Sequence, residues 1–118
     1  MTSDESIKEG DKETEDERIY KQKVQIHSKE RLDEFVWMQI KKATKTYLDV
    51  FDRKWGLNKL KEFKVNIKEF HKKGSQVSYE MRANMITDRK QYHAVKEGWD
   101  PLKTYEEVIK ALRKQTGP

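Results

Sequence analysis

The chain has 118 residues, 34% hydrophobic and 40% charged, with 26 Lys+Arg against 21 Asp+Glu and no cysteine. That length supports one domain with a modest core, and the missing cysteines exclude disulfides and thiolate metal sites. No apolar run approaches the roughly 20 residues of a membrane span, and the first residues lack the basic-then-apolar order of a secretory signal. The expectation is an intracellular protein, cytoplasmic or nuclear, with no membrane partner.

Residues 1–18 carry 8 acids against 3 bases, while residues 19–118 carry 13 against 23. The net charge of +5 therefore hides a basic body behind an acidic end. Residues 1–18 hold almost no apolar material to offset the entropy of ordering, so they are expected to form a disordered acidic tail. Residues 19–118 are expected to form a single basic domain. A basic body attracts polyanions.

Tyr20, Val24 and Ile26 alternate with Lys21, Lys23 and Gln25, which suggests a short strand over 19–26. Ser28 then offers a helix cap. Leu32, Phe35, Val36, Ile40, Ala43, Tyr47, Val50 and Phe51 recur at three and four residues, giving an amphipathic helix over 29–54. Trp37, Met38 and Leu48 widen its apolar arc. Gly56 ends it, with Trp55 over the turn and Asn58 capping the next element.

The stretch 58–73 has two readings. Phe63, Val65 and Ile67 alternate as a strand would, while Leu60, Phe63, Ile67 and Phe70 follow a longer helical stripe. The helix is preferred, and Gly74-Ser75 breaks it. Residues 76–96 are equally double. Val77, Tyr79, Met81, Ala83 and Met85 alternate, but length and the content of Met, Arg, Lys, Glu and Gln favour a helix. Gly98-Trp99-Asp100-Pro101 is a turn, and Thr104 with Glu107 caps a last helix. The fold class expected is therefore all-α, a bundle of about four helices with a possible short N-terminal strand.

On a helix, Lys61, Lys64, Lys68 and Lys72 would share an arc of about 80°, flanked by Lys59 and Lys73. Such a stripe matches spaced phosphates. Lys41, Lys42 and Lys45 make a second group, and Arg82, Arg89 and Lys90 a third whose arginines can pair bidentately with phosphate. The nucleic-acid-binding residues expected are thus Lys59, Lys61, Lys64, Lys68, Lys72, Lys73, Arg82, Arg89 and Lys90. DNA is the first partner considered, RNA the second. The competing reading is a protein-interaction module, a homodimer or a heterologous complex, using the apolar face Phe35, Ile40, Tyr47 and Phe51.

The three histidines, His27, His71 and His93, match no local metal motif, and no nucleotide or metalloprotease signature occurs. No catalytic residue, metal or cofactor is assigned, and the chain is expected not to be an enzyme.

Overall fold

The computed structural model describes residues 15–29 and 31–117. The chain runs α1 (Glu15–Lys23), β1 (Val24–Ser28), α2 (Glu34–Trp55), a 3-10 turn (Leu57–Lys59), β2 (Leu60–Lys73), β3 (Gln76–Thr87), β4 (Gln91–Gly98) and α3 (Pro101–Thr116). The strands form one sheet in the order β1-β2-β3-β4. β1 lies parallel to β2, and the other two pairs are antiparallel. This mixed α/β architecture corrects the all-α expectation. The segments 58–73 and 76–96, read as helices, are instead taken up by three strands after a 3-10 turn.

β2 is a strand because a helix would strand Val65 on its polar side. In the structure Phe63, Val65 and Ile67 are all buried on one face. They sit opposite Met85, Ala83 and Met81 of β3, which are buried too. Phe70, which the helical stripe needs inside, is 54% exposed. The break at Gly74-Ser75 is a two-residue hairpin loop closed by the Lys73–Gln76 pair. Gly74 takes φ 60, the positive value that such a loop requires at its first position.

α2 begins at Glu34 rather than 29, because Ser28 belongs to β1 and Asp33 supplies the cap. The Asp33 carboxylate accepts a hydrogen bond from the Phe35 N–H at 2.8 Å. Gly56 ends the helix at φ 90, donating its N–H to the Asp52 carbonyl at 2.9 Å. Asp52 also accepts from the Leu57 N–H through its side chain at 2.7 Å, which fixes the exit of the chain. α3 begins one turn before Thr104. Asp100 caps it by accepting from the Leu102 and Lys103 N–H groups, with Pro101 in the first turn.

The expected lead-in strand over 19–26 is instead the end of α1 followed by β1. Of the segment expected to be a tail, residues 15–18 open α1. Residues 1–14 lie outside the described residues.

α2 and α3 lie side by side on one face of the sheet. α3 runs along β3 and β4. α2 reaches the sheet through Tyr47, whose ring stands 6.3 Å from that of Phe63. The Tyr47 hydroxyl lies 3.6 Å from Met85 Sδ and 3.0 Å from Thr116 Oγ1, joining α2, β3 and α3. Ile40, Leu48, Phe51, Tyr105, Val108 and Leu112 belong to the same core. Ile40, Tyr47 and Phe51 of the expected interaction face are therefore buried within the chain, and Phe35 alone of the four is exposed.

β4 is an outer strand, and its free edge is partly covered. Gln115, in the last turn of α3, donates from Nε2 to the His93 carbonyl at 2.7 Å. Its Oε1 accepts from the His93 N–H at 3.4 Å.

A second polar contact between α2 and α3 is fully buried. The Thr44 hydroxyl donates to the Ile40 carbonyl at 2.9 Å and is also bonded to the Tyr105 hydroxyl. Burial pushes the Tyr105 phenol well above its ordinary value, with the Thr44 hydrogen bond opposing the shift. The two halves of this contact are unequal. Thr44→Val leaves the Tyr105 hydroxyl buried without this partner and should cost about 1–3 kcal/mol, whereas Tyr105→Phe leaves Thr44 satisfied and should cost about 0.5–1.5 kcal/mol. Urea unfolding of both variants measures the order, and a costlier Tyr105→Phe would refute it.

Candidate nucleic-acid interface

With α2 and α3 on one side, the other sheet face is left open among the described residues. Alternation and register place mostly polar side chains across it in rows, with Val95 the apolar member of those named. One row runs Gln25, Lys64, Asn84, His93, and the next His27, Asn66, Arg82, Val95. A third runs Lys68, Glu80, Glu97. His93 Nδ1 is 2.8 Å from Asn84 Oδ1.

Charge on this face is balanced locally. Arg82 Nε donates to Glu80 Oε1 at 2.9 Å, and Lys68 Nζ approaches the same oxygen at 3.5 Å. The hydrogen bond from Arg82 holds the Glu80 carboxyl below its ordinary value. Desolvation opposes that shift, and the charges of Arg82 and Lys68 add to it. Glu80 is 8% exposed, so one covered carboxylate engages two of the cations expected to meet phosphate.

The lysine stripe expected on a helix is dispersed along a strand. Lys64 and Lys68 lie on the open face, while Lys61 sits at a register shift between Leu60 and Glu62. Lys72 and Lys73 stand at the β2–β3 hairpin tip. At the opposite end of β2, Lys59 pairs with Asp88 at 3.5 Å. There it meets Arg89, and both line a cavity of about 360 Å³ with Phe51, Trp55, Thr87, Asp88, Tyr92 and Thr116. Lys90 Nζ stands 5.7 Å from the Tyr92 ring centroid, in the same turn. The structure thus brings together Lys68 with Arg82, and Lys59 with Arg89, but not the nine as one surface.

The more cationic surface lies on the helices. A depression of about 440 Å³ between α2 and α3 is lined by Lys42, Lys110 and Arg113, with Glu106 its one acid. A second, of about 650 Å³, lies between α2 and the α1–β1 segment, lined by Lys21, Lys41, Lys42 and Lys45. Lys42 and Thr46 line both, so the two are continuous across α2. Together they present six cations against one carboxylate. Lys41 stands 5.4 Å from the Trp37 ring and Lys45 5.3 Å from that of Tyr20, contacts that hold two of the ammonium groups at the surface. Lys45 also meets Asp49 at 3.4 Å.

Lys110 and Arg113 were not distinguished by sequence reasoning. Their signal is their three-residue spacing on the polar side of α3, which gains meaning only beside α2.

No family model matches this chain, and no curated protein matches its sequence. Among solved structures, the fold is similar to that of a ribosomal subunit interface protein from Coxiella burnetii. The TM-score is 0.58 at 15% identity, covering 78% of this chain and 90% of that one. At that identity the similarity shows a shared fold. Among the described residues, no helix is long and apolar enough to cross a membrane.

The lowered Glu80 value carries a pH signature. A carboxylate whose folded value lies below its unfolded one stabilises fully above the ordinary glutamate range, near 4.3, and loses that contribution as pH falls through the folded value. Chemical denaturation from neutral pH into acid should show wild type losing more stability than Glu80→Gln. Parallel losses would remove Glu80 from the acid response.

Proposed function

We propose that this chain binds RNA through the helical face of α2 and α3 and acts at a ribosomal surface. The observation that carries the reading is the continuous basic surface, six cations to one carboxylate, on this fold. Charge of this density tracks a phosphate backbone and releases its counterions, so affinity falls steeply with salt. Five of these six cations are lysines and one is an arginine, a balance that favours backbone positioning over base reading.

The shared fold supports RNA over DNA, since the protein it resembles is described as a ribosomal subunit interface protein. Structured RNA is recognised largely by shape and by phosphate and 2′-hydroxyl contacts. A surface of spread lysines suits that mode. A ribosomal role would place the chain in the cytoplasm or another ribosome-containing compartment.

The test is binding of the full chain to ribosomal RNA and to duplex DNA at several salt concentrations. Lys42→Glu, Lys45→Glu and Lys110→Glu together should weaken RNA binding and lower the salt slope by roughly one unit per lost phosphate contact. Lys64→Glu with Lys68→Glu serves as the comparison on the open sheet face and should have the smaller effect. The reverse ranking would move the interface to the sheet. Equal affinity for duplex DNA and RNA would remove the preference for RNA.

A further inference from the structure

The cavity at the end of the sheet is built where four parts of the chain meet. The last turn of α2 supplies Phe51 and Trp55, the 3-10 turn Lys59, and α3 Thr116. The end of β3, the β3–β4 connection and the start of β4 supply Thr87, Asp88, Arg89 and Tyr92.

Main-chain bonds hold this end in shape. Gly56 N–H bonds to the Asp52 carbonyl at 2.9 Å, Lys59 N–H to the Gly56 carbonyl at 3.1 Å, and Asp88 N–H to the Lys59 carbonyl at 3.0 Å. Thr87 Oγ1 accepts from the N–H groups of Arg89 and Lys90 at 3.3 and 3.1 Å, closing the β3–β4 turn. A side chain at position 56 would meet the Asn58 side chain at 2.7 Å, and φ is positive there. Glycine therefore fixes how Trp55 leaves the helix.

The chemistry of the lining is divided. Phe51 is buried, Tyr92 is half-buried, and Trp55 is 46% exposed. Lys59 and Arg89 are both exposed cations of the rim. Lys90 joins them through its position over Tyr92. Asp88 adds one carboxylate acceptor, already paired with Lys59. A flat aromatic ligand that also carries an anionic group meets both halves, and a volume of about 360 Å³ lies at the lower end of small-molecule sites.

From this we infer that the cavity is a nucleotide site, taking an unstacked base against Trp55 and Tyr92 with its phosphate on Lys59 and Arg89. Single-stranded RNA offers such bases, which stack on aromatic side chains without regard to sequence. A free nucleotide carries the same chemistry. In its RNA form the inference rests on the RNA-binding reading above, and it adds a contact distinct from the helical face.

The experiment uses the full chain and NMR signals of the Trp55 indole and the Arg89 and Tyr92 amides. The probes are nucleoside 5′-monophosphates, the matching nucleosides, and a single-stranded oligoribonucleotide. The expected result is perturbation of these signals by the monophosphates, and weaker binding of the nucleosides. Trp55→Ala should reduce oligoribonucleotide affinity by at least about fivefold, the lower limit for loss of one stacked base, and Trp55→Phe should restore most of it. Arg89→Gln, on an exposed turn, should weaken monophosphates but not nucleosides. RNA binding with unmoved Trp55 signals and a normal Trp55→Ala variant would overturn the site while leaving the RNA reading intact. Monophosphate binding at these residues without RNA binding would support the site for free nucleotides and refute the RNA reading. Nucleosides binding as tightly as monophosphates would overturn the phosphate assignment to Lys59 and Arg89.

Discussion

The parallel pairing of β1 with β2 organises this molecule. Two antiparallel neighbours can be joined by a tight hairpin, but parallel ones need a crossover that carries the chain back past the sheet. Here the return is α2, whose 22 residues span about 33 Å. Once α2 occupies one face, Phe63, Val65 and Ile67 have an apolar partner there and the hairpins that follow inherit the same inside. α3 returns over β3 and β4 to the same side and meets α2 through Thr44 and Tyr105. Among the described residues no helix covers the other face, and its side chains are mostly polar. The basic groove between the helices, the polar sheet face and the end cavity all follow from that one-sided packing.

Part of this was legible in the residues. The apolar spacing of α2, the stop at Gly56 and the turn before the last helix appear in both sequence and structure, with shifted caps. A short N-terminal strand is expected, and β1 overlaps it, but the alternation in 58–73 and 76–96 is set below a helical reading, and β2 shows why. Its register shifts between Leu60 and Glu62 and between Glu69 and His71. The first shift lets Leu60 and Phe63, three residues apart, both be buried. An irregular strand thereby imitates helical spacing, and Phe70 extended the false stripe. In β3, Met and Arg favour a helix on intrinsic preference, but pairing on both sides overrides preference. The sign that outweighs both is Gly74-Ser75 between two alternating runs, a hairpin loop rather than a mere break.

The candidate site suffered from the same error. Lysines counted along 59–73 form a stripe only on a helix. A strand advances about 3.3 Å per residue and alternates its faces, so the same lysines spread over its length. Two strand cations, Lys68 and Arg82, then converge on Glu80, a pairing that no local pattern announces. On α2, by contrast, Lys41 and Lys45 remain one turn apart as the sequence places them. Lys110 and Arg113 join that group only because the core sets α3 beside α2.

Gln115 gives the last turn of α3 a second role. Outer strands offer an unpaired row of donors and acceptors to any extended peptide, including another copy of the same chain. A primary amide carries one donor and one acceptor in nearly the arrangement of a peptide group, and Gln115 presents them to His93 as a short stretch of neighbouring strand would. Among the described residues, the β4 edge is thus met by a side chain rather than by a further strand. Thr116, the next residue, is bonded to Tyr47, so this terminator is anchored to the core by its neighbour. Loosening the end of α3 would uncover this part of the β4 edge in the same movement, so the last helical turn and the outer strand are coupled through one amide.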